Sequence, residues 1–390
     1  MVSDVYFPRV NGVSTSIQTF RADLLALGHA CTLVAPQYPQ PVGLEDDAEM
    51  VRLRSWQVPR DPEDRLISWA EFMRYGASLH PEDVDVVHIQ TPFMAHYAGL
   101  RIAHRLGAPV VETYHTYFEH YLQHYIPALP SGVSQWLARR LTVSQCSQVQ
   151  AVISPSRQMA EALRAYGVSA PIEILPTGLP STCFKQGDGA GFRARHGIDP
   201  KRPLALFVGR VAHEKNIDFL VNMLLRLREQ VPDVLLVIAG EGPAEAHVRK
   251  LVAELGLSDH VFFKGYMDRA TELLDCYSAA DVFVFASRTE TQGLVLLEAL
   301  AQGTPVVSTA VMGTVDVLAG VKGAVVVPED IDAFAAGVAS VLNQPARRSE
   351  LASFARDDAA RWTSRAMAER LLRLYESVIE ADVARGVVTS

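Results

Sequence analysis

Two carboxylates eight residues apart, Glu290 and Glu298, sit in the stretch Thr-Glu-Thr-Gln-Gly-Leu-Val-Leu-Leu-Glu-Ala-Leu. An apolar run, Val282–Phe285, ends just before Glu290, and a short polar loop carries Gly293. A helix expected from about Leu294 then brings Glu298 in after one turn. In an open parallel α/β sheet, ligands sit outside the carboxyl ends of the strands, where the free amides of a helix N-terminus attract anions. An acid on the loop and a second on the first turn are placed to grip hydroxyls around a phosphate held by backbone. That chemistry suits a nucleotide sugar.

The elements that position such a pair follow from length and pattern. A chain of 390 residues exceeds the size at which one core stops growing, so two domains are expected. β-branched runs alternate with amphipathic helices throughout, as stacked βαβ units do. Strands are expected at Val2–Tyr6, Ala30–Ala35, Val84–Ile89, Val110–Tyr114, Ala151–Ser154 and Ile172–Leu175. A second series falls at Leu204–Val208, Val234–Ala239, Val261–Lys264, Val282–Phe285, Pro305–Thr309 and Val325–Val327. The helix Ser14–Leu27 puts Ile17, Phe20, Leu24 and Leu27 on one face, with Gly28 as its stop. The polar, glycine-rich residues 181–191 read as a linker. The division is 1–185, 186–365 and a C-terminal helix, 366–390, expected to cross back to the first domain.

Composition excludes several classes. The net charge of −8 is evenly spread, with 14 Lys/Arg against 18 Asp/Glu in residues 1–190 and 22 against 26 beyond. Neither half offers the basic field that nucleic acid needs. Cys31, Cys146, Cys183 and Cys276 lack paired spacing and read as reduced thiols of a cytoplasmic protein. With no run of 18 apolar residues and no leader pattern, a soluble or peripheral protein is expected. The residues before the first loop are few for a strand, so a natural start slightly upstream is expected.

A second loop supplies cations. After Leu204–Val208 comes Gly-Arg-Val-Ala-His-Glu-Lys-Asn, where Gly209 lets backbone turn close to a ligand and Arg210 and Lys215 lie where a diphosphate would rest. Alone they read equally well as solvated surface cations; with Glu290 and Glu298 they read as a site. Gly-Glu-Gly-Pro, residues 240–243, is only a partial dinucleotide fingerprint, without the third glycine or a ribose acid. In the first half, Pro-Arg-Val-Asn-Gly-Val-Ser-Thr-Ser precedes a helix. Asn11 and Gly12 permit close approach, and Ser14 or Thr15 is expected to cap. His115, His120 and His124 can be read as metal ligands, since His120 and His124 share a helical face, but the acid that a zinc-protease helix places between its histidines is missing. Asp83 and Asp85 precede a strand and therefore lie at the wrong end of the sheet for a metal site.

Taken together, Glu290 and Glu298, the 209–216 loop, Leu-Val-Ile-Ala-Gly-Glu-Gly-Pro, Phe-Lys-Gly-Tyr-Met and Glu-Ala-Leu-Ala-Gln-Gly-Thr-Pro-Val-Val make the chain resemble family 4 retaining glycosyltransferases of the GT-B fold. The resemblance covers essentially the whole chain. It implies an α/β protein with two Rossmann-like doubly wound parallel-sheet domains facing across a cleft. It makes Arg210 and Lys215 the diphosphate ligands, Glu298 the ribose ligand, and Glu290 the contact to the donor sugar. Gln292 joins the donor-binding set, and the amides around Gly293, Leu294 and Val295 would hold sugar oxygens and the distal phosphate. Backbone near Tyr266 and Met267 would meet the base. In the first domain, Gly12 and His115 would face the sugar and the reaction centre. No metal or other cofactor is implied, since cations and helix termini can neutralise the leaving group.

The expected reaction moves a hexose from a nucleotide diphosphate sugar to an acceptor hydroxyl with retention, Glu290 orienting rather than attacking. Thr-Glu-Thr-Gln-Gly-Leu, Tyr-His-Thr-Tyr-Phe-Glu-His-Tyr and the opening segment are most similar to diacylglycerol glucosyltransferases, implying UDP-glucose, a lipid or small glycoside acceptor, and peripheral contact with the inner face of a membrane. Arg65, Trp69, Phe72, Met73 and Arg74, or Trp136, Arg139 and Arg140, are candidates for that contact, although the plainer reading of either set is a helix with an apolar core face. A mannosyl- or other sugar transferase using GDP-mannose or another nucleotide sugar with a soluble or polyprenyl-linked acceptor shares every donor motif and stays open, as does a catalytically silent binding protein.

Overall fold

The computed structural model describes residues 1–9, 11–39, 48–58, 61–115, 131–268, 271–290 and 292–389. The chain forms two compact units, Met1–Gly178 with Ser364–Ser390, and Leu179–Thr363.

In the first unit the order is α1 (Gly12–Ala26), β1 (Leu33–Pro36), β2 (Met50–Leu53), β3 (Ser55–Val58), β4 (Asp61–Ile67), α2 (Trp69–Ser78), β5 (Val87–Ile89), α3 (Met94–Leu106), β6 (Val110–Thr113), α4 (Ser131–Cys146), β7 (Ala151–Ser154), α5 (Arg157–Tyr166) and β8 (Ile172–Ile174). The strands β5-β6-β7-β8 run parallel, as do β1 and β2. The expected first strand is reduced to Val2, which bridges to Val34 and to Ile89 and so joins the two parallel groups. Its continuation cannot be strand, because the Ser3 hydroxyl bonds the backbone of Val5 on both sides and turns the chain. Strands β3 and β4 form an antiparallel hairpin that the sequence reading did not anticipate.

The C-terminal helix, Ser364–Thr389, belongs to this unit, packing Met367, Leu371 and Tyr375 into a cluster with Phe20 and Leu24 of α1. Each large apolar side chain buried there contributes roughly 1.5–3 kcal/mol. A buried polar chain pins the helix to the sheet: Tyr375 Oη lies 2.6 Å from His88 Nδ1, and His88 Nε2 lies 2.7 Å from Thr113 Oγ1. Burial holds the His88 imidazole well below its usual pKa, so the chain is neutral.

The second unit contains α6 (Gly189–Arg195), β9 (Leu204–Val208), α7 (Ile217–Leu227), β10 (Leu235–Ala239), α8 (Glu245–Glu254), β11 (Val261–Gly265), α9 (Glu272–Ala279), β12 (Val282–Phe285), α10 (Leu294–Ala301), β13 (Val306–Ser308), α11 (Gly313–Leu318), β14 (Ala324–Val326), α12 (Ile331–Leu342) and α13 (Pro345–Ala360). Its six strands are all parallel in the order β11-β10-β9-β12-β13-β14. Strands β9, β10 and β12 are buried at every residue, which is why they read as unbroken apolar runs rather than alternating ones.

Residues 181–191 are not a linker. They form a 3-10 turn, Ser181–Phe184, and the start of α6, folded within the second unit. A Cβ at Gly187 would meet the Leu274 carbonyl at 2.3 Å, and one at Gly189 the Ser278 carbonyl at 2.4 Å. These glycines serve backbone-to-backbone packing against α9, and the composition that suggests flexibility reflects close approach. The boundary therefore falls at Gly178/Leu179 and again at Thr363/Ser364.

Candidate functional site

In the second unit the strand order reverses between β9 and β12, and the crevice outside their carboxyl ends is where a doubly wound sheet takes a ligand. The loop after β9 carries Arg210 and Lys215; the loop after β12 carries Glu290. The fold thus brings together residues 75 apart in sequence: Lys215 Nζ pairs with Glu290 Oε1, the two side chains being 19% and 17% exposed. Arg210 is exposed on the same loop as Lys215.

Local structure holds both loops. Residues His213–Lys215 form a 3-10 turn ended by Asn216, which is buried, left-handed, and donates from its side-chain amide to the Ala286 carbonyl at 3.2 Å. The same amide reaches Glu329, which also accepts from Arg288. The Glu290 carbonyl accepts from Gly313 N at 2.9 Å, fixing that loop against the start of α11.

Gly293 caps α10 with φ +83, and a Cβ there would meet Thr314 Cγ2 at 2.9 Å, so both conformation and space require glycine. No side chain caps α10, whose first residues, Leu294 and Val295, are half-buried, while Gln292 is buried. Glu298 lies deeper than Glu290, 4% exposed, with Oε2 accepting from Tyr277 Oη at 2.8 Å.

The Gly-Glu-Gly-Pro segment has a packing purpose. A Cβ at Gly240 would meet the Gly209 carbonyl at 2.0 Å, and one at Gly242 the Val211 carbonyl at 2.3 Å. These glycines let the loops after β9 and β10 lie side by side. Tyr266 exposes 61% of its surface while its N–H donates to Glu241 Oε1 at 3.3 Å; Met267 is buried.

In the first unit the reversal lies at Val2, between β1 and β5, and polar residues gather where the chain leaves Val2, β5 and β6. Asp4 is 4% exposed, accepts from Thr91 Oγ1 at 2.8 Å, and accepts from Ala95 N at 3.0 Å in the first turn of α3. Burial pushes its carboxyl up to about 6, opposed by those hydrogen bonds. No sequence signal marked Asp4, because the capped helix begins about ninety residues later. His115, half-buried, hydrogen-bonds Gln90 Oε1 through Nε2 at 2.9 Å, and burial lowers its pKa to about 4, leaving a neutral ring. Asn11, rather than Ser14 or Thr15, caps α1: its side chain accepts from Ser14 N at 2.8 Å. The geometry favours it because Asn11 holds the extended conformation of a cap, whereas Ser14 is already helical. Gly12 has nothing within 4 Å of where a Cβ would stand.

His120 and His124 lie outside the described residues. Among the described residues, no three His, Cys, Asp or Glu side chains cluster as metal ligands would, and no helix is long and apolar enough to cross a membrane. Asp83 ends a 3-10 turn before β5, accepting from His80 N at 2.7 Å. Phe72 is fully buried, so α2 spends that face on the core, whereas Trp69 and Trp136 are 40% and 58% exposed.

Residues 10–182 match the family model described as Glycosyltransferase Family 4, and residues 190–358 match Glycosyl transferases group 1. The chain is 32% identical over 320 residues to an Alpha-monoglucosyldiacylglycerol synthase of Streptococcus pneumoniae, covering 79% of this chain and 70% of that protein. It is 26% identical over 385 residues to a GDP-mannose-dependent alpha-mannosyltransferase of Corynebacterium glutamicum, covering 97% and 88%. Among solved structures it superposes on a sucrose-phosphate synthase of Thermosynechococcus elongatus with a TM-score of 0.78 at 22% identity, over 97% of this chain and 99% of that one. The chain belongs to the glycosyltransferases of the GT-B fold, with a family 4 domain followed by a group 1 domain.

Proposed function

We propose that this glycosyltransferase moves glucose from UDP-glucose to the hydroxyl of a lipid, diacylglycerol or a relative of it, retaining the anomeric configuration. The observation that carries the donor site is the Lys215–Glu290 pair at the strand reversal of the second unit, beside exposed Arg210 and the start of α10, which no side chain caps. The diphosphate competes with Glu290 for Lys215, and the released carboxylate turns to sugar hydroxyls. The bond from the anomeric carbon to the diphosphate breaks while the acceptor oxygen arrives on the same face, its proton passing to the departing phosphate oxygen. Arg210, Lys215 and the amides at Gly293, Leu294 and Val295 face charge that grows as the diphosphate leaves. Glu298 takes the ribose hydroxyls, and the backbone around Tyr266 and Met267 meets the base. In the first unit, Gly12 stands where packing demands no side chain and His115 is neutral, and the family resemblance is what assigns both to the sugar. No metal enters this scheme.

Glucose and a glycerolipid are favoured by likeness to the pneumococcal protein. Greater coverage by the mannosyltransferase relative, 97% of this chain, supports GDP-mannose as a second reading. Incubation of the protein with membrane extract and, separately, UDP-glucose or GDP-mannose, followed by mass-resolved product analysis, tests both. A hexosylated glycerolipid formed with UDP-glucose and carrying an α-anomeric proton coupling is expected. Product with GDP-mannose alone would transfer the assignment to the second reading.

A further inference from the structure

Beneath Glu298 lies a phenol that the scheme above does not use. Tyr277, on α9, is fully buried, and its Oη donates to Glu298 Oε2 at 2.8 Å. The ring is fixed by packing: it tilts against Phe283 of β12 with centroids 5.7 Å apart, and Phe283 stacks in turn on Phe285 at 6.0 Å. The backbone is fixed too, since the Tyr277 carbonyl accepts from Thr304 Oγ1 at 2.7 Å and from Ala280 N at 3.1 Å. The donor therefore cannot follow the carboxylate if the carboxylate turns.

A carboxylate on a glutamate arm has a soft terminal torsion, which an immobile donor on one oxygen restricts. We propose that Tyr277 is a positioning residue for donor binding, its phenol holding Glu298 in the orientation that accepts the ribose hydroxyls. This rests on the reading of Glu298 as the ribose ligand. Tyr277 is fully buried and its phenol donates to the acid, so its effect on the nucleotide is argued through Glu298. The observation that separates positioning from plain structural support is whether loss of the phenol is felt through the ribose hydroxyls specifically.

The test compares wild type, Tyr277→Phe and Glu298→Gln by calorimetric titration with UDP and GDP and with their 2′,3′-dideoxy forms, alongside donor KM and kcat. Wild type is expected to prefer the ribose form of the nucleotide it binds. Tyr277→Phe should bind that form roughly tenfold more weakly yet bind the dideoxy form as wild type does, because the lost hydrogen bond acts only where hydroxyls are present. Donor KM should rise with kcat little changed. An unaltered ribose-to-dideoxy ratio in Tyr277→Phe, with ribose discrimination present in wild type and lost in Glu298→Gln, would overturn the positioning role and leave Glu298's. Absence of ribose discrimination in wild type would instead remove the reading of Glu298, and this proposal with it. Failure of both nucleotides to bind wild type would remove the donor site itself.

Discussion

Lys215 and Glu290 form an ion pair across the strand reversal of the second unit, each with less than a fifth of its side chain exposed. Two opposite charges on the loops after β9 and β12 are thus held largely out of solvent, and the proposed reading assigns them to a ligand carrying both anionic and hydroxyl groups. On that reading the anion and the acid would compete for one cation, which would couple diphosphate binding to release of the acid.

Removal of either cation tests that reading. Lys215→Ala and Arg210→Ala are each expected to lower kcat roughly 100-fold, the usual scale for losing one group that stabilises developing charge. Thermal stability should change little for Arg210→Ala, which is exposed on a loop. Steady-state kinetics beside a melting curve decides it, and near wild-type turnover in both variants would exclude the assignment.

Asp4 makes a prediction about stability and pH. Its carboxyl is raised from 3.8 to about 6 by burial, so the folded chain holds the proton more tightly than the unfolded one. The contribution is complete below about pH 4 and lost as pH rises through about 6, a change of about 3 kcal/mol for a shift of this size. Asp4→Asn keeps an acceptor for the Ala95 amide without the charge. Denaturant unfolding between pH 4 and pH 8 should therefore show a shallower loss of stability in the variant; parallel curves would contradict it.

His115 bears on activity instead. With its pKa lowered to about 4 by burial, the ring stays neutral throughout the working range and can only donate or accept a hydrogen bond. The shift is opposite in sign to that of Asp4: stability from the neutral ring is present above about pH 6.5 and lost as pH falls through about 4. Ring-nitrogen NMR signals titrating near pH 6.5 would show that the imidazole is open to water and overturn the prediction.

The placement of the candidate site residues is legible in the sequence where neighbours share a loop, and illegible where partners are brought from afar. Arg210, Lys215 and Glu290 stand one loop past strands whose complete burial makes them unbroken apolar runs, so strand and loop were both visible. Asp4 and Tyr277 were hidden because their partners, Ala95 and Glu298, are brought to them only by tertiary structure. Residues 181–191 misled for a different reason: glycine chosen for close packing has the same composition as glycine chosen for freedom. The first strand misled because Ser3 bonds its own neighbourhood and diverts a β-branched run after one residue.

Turnover is expected to persist in EDTA, because on the proposed reading Arg210, Lys215 and the amides starting α10 take the charge that a divalent ion would take. Product formation measured with chelator and again after added magnesium or manganese checks this. Complete loss with restoration by metal would show that the cations alone do not suffice.

The last prediction concerns the lipid acceptor. Trp136 and Leu137 on α4 are 58% and 42% exposed, and Arg140 lies over the Trp136 ring at 5.4 Å. Residues 131–150 contain Arg139 and Arg140 and no acid. In α2, by contrast, Phe72 is core and Glu71 bonds the Arg54 backbone, which leaves Trp69 with less exposed apolar support. If the chain meets a membrane, α4 is the better fitted surface, through its aromatic and cationic groups. Binding must be local and modest, since the net charge of −8 opposes an anionic bilayer. Sedimentation with vesicles containing anionic lipid should decline as salt rises. It should decline further in Trp136→Ala and in Arg139→Ala with Arg140→Ala, while Trp69→Ala retains most of it. No sedimentation by wild type, together with full activity on a water-soluble acceptor, would end the lipid reading and leave the donor site standing.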